Sequence, residues 1–165
     1  MITEYTTKDS LRILNVINDA ALKYKGIIPD ECWHEPYMSQ EELIKEFEAG
    51  IRMFGYAKKR ALIGVMGIQE LEEVTLIRHA YTLFEYQGTG IGTSLLQYLY
   101  GINESARLLV GTWQDAIWAI KFYMKHGFVL HTRKQTDQLL EQYWQVPLQQ
   151  MQSSVVLERQ MELKG

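Results

Sequence analysis

Three glycines within five residues form the most constraining segment of the chain. Gly88, Gly90 and Gly92 follow an apolar stretch and precede the helix-like residues 95–100. Glycine adopts positive φ without strain, so such a run brings backbone N–H groups close to a bulky anion, and the N-terminus of a following helix adds positive potential. The segment therefore predicts a strand, a phosphate-binding loop and a helix in succession, with a diphosphate as the ligand of the loop.

Two common phosphate-binding motifs do not match this loop. The dinucleotide fingerprint requires a third glycine, and counted from the first two glycines of the run that position holds Thr93. The fingerprint also requires an acidic residue about 20 positions later, whereas residues 107–113 carry no carboxylate. A Walker loop ends in lysine followed by Ser or Thr, and no lysine lies between Arg60 and Lys121. Both motifs are excluded.

A second motif lies at residues 118–128. Apolar residues recur there with helical spacing around Tyr123, and Gly127 stands where a left-handed residue would end the helix. Taken alone, this pattern fits an ordinary amphipathic helix. Together with the Gln-x-x-Gly-x-Gly pattern of residues 87–92, it resembles the GNAT superfamily of acyl-CoA N-acyltransferases, which carry both motifs in this order. The resemblance is most specific over residues 74–128.

The order of elements predicts an α+β fold, and the resemblance implies the GNAT form of it: a mixed, mostly antiparallel sheet with a central parallel crossover pair and helices on both faces. One domain over residues 1–165 is expected for this length. The predicted helices are one capped by Thr7 or Asp9 and ending before Gly26, one at 40–49 behind a capping box at 39–42, one from the glycine loop to about Glu104, and the Tyr123 helix. The predicted strands are 53–58, 62–70, 74–83, 108–113, one from Phe128, and 153–161.

The resemblance implies that acetyl-CoA is bound by two segments. Residues 80–83 would pair with its pantetheine arm as an added strand does, and the amides of residues 88–93 would bind its diphosphate. Lys125, one turn after Lys121, would reach an outer phosphate, although a solvated basic face explains the same two lysines. The implied cofactor-binding residues are Ala80, Tyr81, Thr82, Leu83, Gln87, Gly88, Thr89, Gly90, Ile91, Gly92, Thr93, Ala119, Phe122 and Lys125.

Tyr123 lies where the family commonly has a tyrosine that protonates the departing thiolate. A phenol with a pKa of about 10 suits that role, and packing of the ring at the rim of the core is the alternative. The chain departs from the family at Ala116, where an asparagine often binds the cofactor. That hydrogen bond is therefore missing or comes from Gln114 or Asp115.

The acceptor amine must lose a proton, because an alkylammonium with a pKa of about 10.4 is almost fully protonated at pH 7. His79 lies on the strand before the glycine loop, in the region where many relatives carry a glutamate or histidine base. It is the candidate base, and a buried, hydrogen-bonded histidine is the alternative.

Aromatic residues mark the two segments that bound the acceptor site in the family. Trp33 and Tyr37 lie in the first segment and Trp144 lies in the second. Together with Arg78 they are predicted to contact the acceptor, while a cover over the core or a homodimer contact would explain the same residues.

The composition limits the partners. The net charge is −3 and no run of lysine or arginine suggests a nucleic-acid groove. No apolar run approaches the roughly 18 residues that span a bilayer, and no N-terminal signal is present, so we expect a cytoplasmic protein without membrane contact. Cys32 is the single cysteine and predicts neither a disulfide nor a metal site.

The leading hypothesis is an N-acetyltransferase that moves an acetyl group from acetyl-CoA to a primary amine of a small molecule or peptide. Transfer would be direct, within a ternary complex. A non-catalytic module that binds or senses acyl-CoA is the alternative. A nucleotide-binding regulator would explain the glycine loop but leaves the motif at residues 118–128 unexplained.

Overall fold

A seven-stranded sheet forms the centre of the computed structural model, which describes residues 1–162. The strands are β1 (Ile2–Tyr5), β2 (Arg52–Lys58), β3 (Ala61–Glu70), β4 (Thr75–Thr82), β5 (Arg107–Trp113), β6 (Val129–Leu130) and β7 (Ser154–Gln160). Their order in the sheet is β1-β2-β3-β4-β5-β7-β6. Only the central neighbours β4 and β5 are parallel, and every other pair is antiparallel. The predicted α+β fold with its central parallel pair is confirmed.

Helices cover both faces of the sheet, as predicted. They are α1 (Ser10–Ala21), α2 (Gln40–Glu48), α3 (Ile91–Ile102), α4 (Ile117–Lys125), α5 (Arg133–Tyr143) and α6 (Leu148–Gln152). Side chains of α3 and α4 share one buried cluster, while α1 with α2, and α5, supply the clusters of the opposite face. Among residues 1–162, no helix is both long and apolar enough to cross a membrane.

Alternation along the central strands separates these clusters. Leu76 of β4 and Leu109 of β5 pack against α5, whereas the next residues, Ile77 and Val110, pack against α3 and α4. Successive side chains of a strand point to opposite faces, so two buried residues in a row require cover on both sides. The parallel pair is therefore the innermost part of the fold.

Four elements differ from the sequence-based expectation. The strand expected from Phe128 contains only Val129 and Leu130, and it pairs with β7 at the edge of the sheet. β1, α5 and α6 were not predicted. The single domain over residues 1–165 stays a prediction, and its last residues, 163–165, lie outside the described part of the chain.

A buried ion-pair network joins the strands at one end of the sheet. Glu158 of β7 is 7% exposed, and its carboxylate accepts hydrogen bonds from Arg107 Nε at 2.7 Å and Nη2 at 3.0 Å. His131 Nε2 lies 2.8 Å from the same carboxylate. The hydrogen bonds from Arg107 are the main reason that the pKa of Glu158 lies below its ordinary value; burial opposes them, and His131 adds to the lowering.

Replacing Glu158 by glutamine is expected to lower the free energy of unfolding at pH 7 by about 2 kcal/mol, because the arginine loses its charged partner. A carboxylate whose pKa is lower in the folded state stabilises the fold above its unfolded-state pKa, and that contribution is lost as the pH falls through the folded-state pKa. Urea unfolding from pH 7 to pH 3 should therefore show the variant and the parent converging in acid. Glu141→Gln, an exposed change on α5, is the control and should match the parent throughout.

Candidate active site

The parallel strands β4 and β5 separate at the centre of the protein. They pair only through residues 75–77 and 108–110. Further along β4, His79 and Ala80 together stand opposite the single residue Met66 of β3, and His79 has a φ of +55°. This is a β-bulge, which bends a strand and re-aims its side chains. The last residues of β4 consequently have a strand on one side only.

The glycine loop connects the open end of β4 to α3. Gly88 and Gly90 have φ values of +76° and +92°, and a Cβ at either position would meet no atom within 4 Å. Gly90 is the N-cap of α3, so the unpaired amides of the first helical turn follow it directly. A Cβ on Gly92 would lie 3.3 Å from Phe122 of α4. Two glycines therefore provide the turn, and the third allows α3 and α4 to approach.

A groove of about 390 Å³, called here the loop groove, runs over the glycine loop. All but two of the implied cofactor-binding residues line it. They are Ala80, Tyr81, Thr82, Gln87, Gly88, Gly90, Ile91, Gly92, Thr93, Ala119, Phe122 and Lys125. Leu83 and Thr89 are outside the lining, and the Thr89 hydroxyl donates a hydrogen bond to the carbonyl of Tyr86. The cofactor contacts of all fourteen residues stay predictions.

Gln87, the first residue of the glycine motif, holds the loop against the strand. Its side-chain amide donates a hydrogen bond of 3.0 Å to the carbonyl oxygen of Thr82, the last residue of β4. That carbonyl lies beyond the end of β4–β5 pairing, so the glutamine satisfies a group that a neighbouring strand would otherwise bind.

A second cavity of about 530 Å³, called here the His79 cavity, adjoins the place where β4 and β5 separate. It is lined by the predicted residues Arg78, His79, Tyr37 and Trp144. Trp33 is outside the lining and stacks on Tyr37, with ring centroids 5.9 Å apart. Of the predicted acceptor contacts, the structure therefore brings all except Trp33 into one cavity.

The two cavities share a wall. Its residues come from the short turn after α1, from β4 and from α4, and they are Tyr24, Ala80, Tyr81, Ala119 and Tyr123. A molecule in the loop groove and another in the His79 cavity would meet at this wall. Such an arrangement suits direct transfer between two bound molecules.

Tyr123 is the most deeply buried residue of the shared wall. Its side chain is 4% exposed and packs in the core against Phe122 and Phe128. Its hydroxyl makes no hydrogen bond within residues 1–162. Burial raises the pKa of this phenol, and the neighbouring Tyr24 and Tyr100 raise it further. The hydroxyl thus keeps its proton at neutral pH and has that proton available for a bound molecule.

His79 is held by a carboxylate that the sequence analysis did not identify. Its Nε2 lies 2.9 Å from Oε2 of Glu46, on α2, and Arg78 Nη2 donates to the same oxygen at 3.3 Å. Burial alone would raise the pKa of Glu46, but the hydrogen bond from His79 and the charges of His79 and Arg78 lower it. Gln69 accepts a further bond from Arg78 at 3.0 Å, which fixes the guanidinium. The group forms a carboxylate–histidine pair at one side of the cavity.

Aromatic rings form the opposite side of the cavity. Tyr24 lies 5.4 Å from Tyr37 and 6.3 Å from Tyr81, measured between ring centroids. The Trp113 indole donates a hydrogen bond of 3.0 Å to the Tyr37 hydroxyl. Burial is the main cause that raises the pKa of all three tyrosines. Tyr24 was not predicted, because it lies in the short turn after α1 and belongs to no motif.

The packing of Trp144 and Ala116 shows where these two residues lie. Trp144 is 8% exposed and covers Gly111 of β5, where a Cβ would lie 3.4 Å from its ring. It is therefore a fixed wall. Ala116, which replaces the asparagine common in the family, is fully buried beside Ile28 and Trp113, while Gln114 and Asp115 are exposed.

A family model described as the acetyltransferase (GNAT) domain matches residues 14–143. Among solved structures, the PaiA N-acetyltransferase of Thermoplasma acidophilum in complex with coenzyme A superposes with a TM-score of 0.72 at 20% identity, covering 97% of this chain and 98% of that chain. An acetyltransferase of the GNAT family from Staphylococcus aureus gives a TM-score of 0.74 at 16% identity, with 98% and 99% covered.

The ribosomal-protein-S18-alanine N-acetyltransferase of Escherichia coli is similar as well, with a TM-score of 0.70 at 14% identity over 100% of this chain and 96% of that chain. At such low identities the likeness concerns the fold. No curated protein sequence matches the chain. The family match over residues 14–143 confirms the resemblance drawn from the two motifs: the chain belongs to the GNAT family of acetyltransferases.

Proposed function

We propose that the protein transfers an acetyl group from acetyl-CoA directly to a primary amine of a small molecule or peptide. The observation that carries the proposal is the wall shared by the loop groove and the His79 cavity. Two adjoining sites allow donor and acceptor to be bound together, which removes the entropic cost of bringing them into contact during the reaction.

The loop groove fits the donor. Open space at the Cβ positions of Gly88 and Gly90 leaves room for a diphosphate against the amides at the start of α3. The free side of residues 80–82 is suited to an extended pantetheine arm, and Lys125 lies at the rim for an outer phosphate. Bound acetyl-CoA supplies the activated thioester. The coenzyme A complex of the similarly folded PaiA protein supports this assignment of the donor.

The residues around the shared wall can move the protons that the reaction requires. As the C–N bond forms, the amine must lose a proton. We assign it to Nδ1 of His79, because Glu46 accepts the hydrogen bond of Nε2 and so fixes the tautomer in which Nδ1 carries a lone pair. As the C–S bond breaks, the sulfur takes a proton from the Tyr123 hydroxyl. Each group thus exchanges one proton, and solvent restores both.

The first test is release of the coenzyme A thiol from acetyl-CoA with a panel of amines. Turnover that depends on both substrates supports the proposal. Binding of acetyl-CoA without turnover across a broad panel would instead favour a non-catalytic binding module. Tight binding of ATP in preference to acetyl-CoA would contradict both functions.

His79→Gln is expected to lower kcat/KM about 100-fold at pH 7, the lower end of what loss of a general base costs, because water can take part of its role. Glutamine retains an N–H donor for Glu46, so the thermal melting temperature should stay close to that of the parent. The deficit should shrink as the pH rises toward the pKa of the acceptor amine, since a base is then no longer required. A deficit that does not change between pH 7 and pH 10 would contradict the base role.

A further inference from the structure

We propose that His126 is a positioning residue of the donor site: when its Nε2 carries a proton, it leaves the Thr93 hydroxyl free to bind the diphosphate of acetyl-CoA. The inference rests on the proposed function and adds a residue to the binding of its donor. His126 directly follows α4 and does not line the loop groove, so it would act through Thr93, which does line it.

Thr93 lies in the first turn of α3, where the diphosphate is expected to bind. The first hydrogen bond inside this helix runs from the Ser94 N–H to the Gly90 carbonyl at 3.0 Å. The amides of residues 91–93 therefore have no partner within the helix. A hydroxyl on the last of these residues can add one more donor for the same anion. Its orientation decides whether it does so.

A closed ring of contacts holds His126 behind this turn. A Cβ on Gly92 would lie 3.3 Å from Phe122, so the missing side chain lets the phenyl ring approach α3. The centroids of the Phe122 and His126 rings are 4.8 Å apart. His126 Nε2 lies 3.1 Å from Oγ1 of Thr93, the residue that follows Gly92. These contacts set the imidazole against the threonine hydroxyl.

The direction of the hydrogen bond between His126 and Thr93 decides what the hydroxyl can bind. A hydroxyl has one proton to donate and can also accept. If Nε2 is unprotonated, the Thr93 hydroxyl donates to it and has no proton left for a phosphate oxygen. If Nε2 carries a proton, it donates to the Thr93 oxygen, and the hydroxyl proton is available to the ligand. The imidazole thus controls one donor of the loop groove.

The charges around His126 favour its neutral form until an anion is bound. Burial is the largest cause that lowers the pKa of His126, and the charges of Lys125 and of Arg159 on β7 lower it further. Of the residues that the structure describes, none contributes a carboxylate to this effect. Neither Lys125 nor Arg159 forms an ion pair within residues 1–162. A bound diphosphate would supply the negative charge that this cluster lacks.

Binding of acetyl-CoA and protonation of His126 should therefore favour each other. An anion near the imidazole stabilises its charged form, so the pKa of His126 should rise when the donor binds. Linkage is reciprocal, and protonation must then increase the affinity for the donor. The gain is fully present below the pKa of the free protein and is lost as the pH rises through the pKa of the complex.

Isothermal titration with acetyl-CoA, in the absence of an acceptor, tests the inference on the parent and on His126→Gln. Glutamine keeps one hydrogen bond to Thr93 but cannot take up a proton. The ratio of the parent's affinity to the variant's should rise about fivefold from pH 8 to pH 5.5. Ionisation of the ligand affects both proteins equally and cancels in this ratio. A ratio that does not change with pH would overturn the inference.

The imidazole resonances report the same event and require no variant. The four histidines of the parent can be assigned through their backbone amides and titrated with and without acetyl-CoA. We expect the pKa of His126 to rise on binding, and the ¹⁵N shifts should show a proton on Nε2 in the complex at pH 7. An unprotonated Nε2 in the complex would contradict the proposed direction of the hydrogen bond.

Two variants of Thr93 separate positioning from charge alone. Thr93→Val has a similar shape without the hydroxyl, and it should bind acetyl-CoA about tenfold more weakly at pH 5.5, as expected for loss of a hydrogen bond to a charged group. It should also lose most of the pH effect. Thr93→Ser retains the hydroxyl and should restore both. If Thr93→Val keeps the full pH effect, His126 acts only by its charge and is not a positioning residue.

His34→Gln is the matched control. His34 is exposed, lies outside the loop groove, and has its Nδ1 at 2.9 Å from the carbonyl oxygen of Pro36. Its replacement should leave the pH dependence of acetyl-CoA binding unchanged. Thermal melting of each variant at both pH values verifies that the titrations compare folded proteins.

The outcomes distinguish this inference from the proposed function. If acetyl-CoA binds to the parent but binding does not depend on protonation of His126, the inference is overturned and the assignment of the donor stands. If binding shows the expected dependence but no amine releases thiol, the transferase function fails and the role of His126 stands. If acetyl-CoA does not bind to the parent at either pH, both are overturned.

Discussion

Replacing Tyr123 by phenylalanine is expected to lower kcat about 100-fold or more while acetyl-CoA affinity stays within a few fold. The hydroxyl has no hydrogen-bond partner among residues 1–162, so its removal leaves no protein group unsatisfied. The ring keeps its contacts with Phe122 and Phe128. Steady-state kinetics with the best amine acceptor, paired with thermal melting, measures both effects.

Tyr100→Phe provides the control for this experiment. Tyr100 is also a tyrosine whose buried hydroxyl lacks a partner within the described residues, and it lines neither cavity. Loss of its hydroxyl should leave kcat unchanged. If Tyr123→Phe behaves in the same way, Tyr123 is only a packing residue, and the thiolate leaves unprotonated or takes its proton from water.

Gly90→Asp should lower the affinity for acetyl-CoA about 100-fold or more. The substitution introduces a carboxylate at the N-cap of α3, where the amides and the helix dipole favour the anionic diphosphate. It also adds bulk in space that is open around Gly90. Isothermal titration with acetyl-CoA measures the loss, and NAD serves as the ligand that should not bind to the parent.

Two variants separate charge from backbone strain at this position. Gly50 has a φ of +91°, against +92° at Gly90, and likewise has no atom within 4 Å of a Cβ. Gly50→Asp therefore carries the same strain far from the loop groove and should bind acetyl-CoA normally. Gly90→Asn keeps the size of aspartate without its charge and should bind better than Gly90→Asp. Normal binding by a folded Gly90→Asp protein would mean that the loop does not hold the diphosphate.

The parts of the site that could be predicted from the sequence are formed by residues that lie close together in the sequence. The glycine loop and the Tyr123 helix each lie within about a dozen consecutive residues, and their patterns of glycine and apolar spacing specify backbone conformation directly. The central strands were also predictable, since β3 is a long buried apolar run and β4 and β5 each begin with a short run that is covered on both faces.

What the sequence did not predict depends on contacts between distant segments. Glu46 and His79 are 33 residues apart in the sequence, and no sequence pattern near either residue predicts their contact. α5 buries only Thr136, Leu139 and Leu140, a stripe too narrow to stand out in a glutamine-rich segment. β1 has four residues and one buried side chain, so its strand character comes from pairing with β2.

The two cavities are built largely by different segments of the chain, so one can evolve without the other. The His79 cavity is walled largely by residues before β2 and after α5, whereas the loop groove is built mainly by the end of β4, the glycine loop and α4. Insertions or exchanges in the first set leave the second set intact. If the proposed function holds, new acceptors can be acquired by altering these peripheral segments, and a designer seeking a different acceptor should graft them onto an unchanged loop groove.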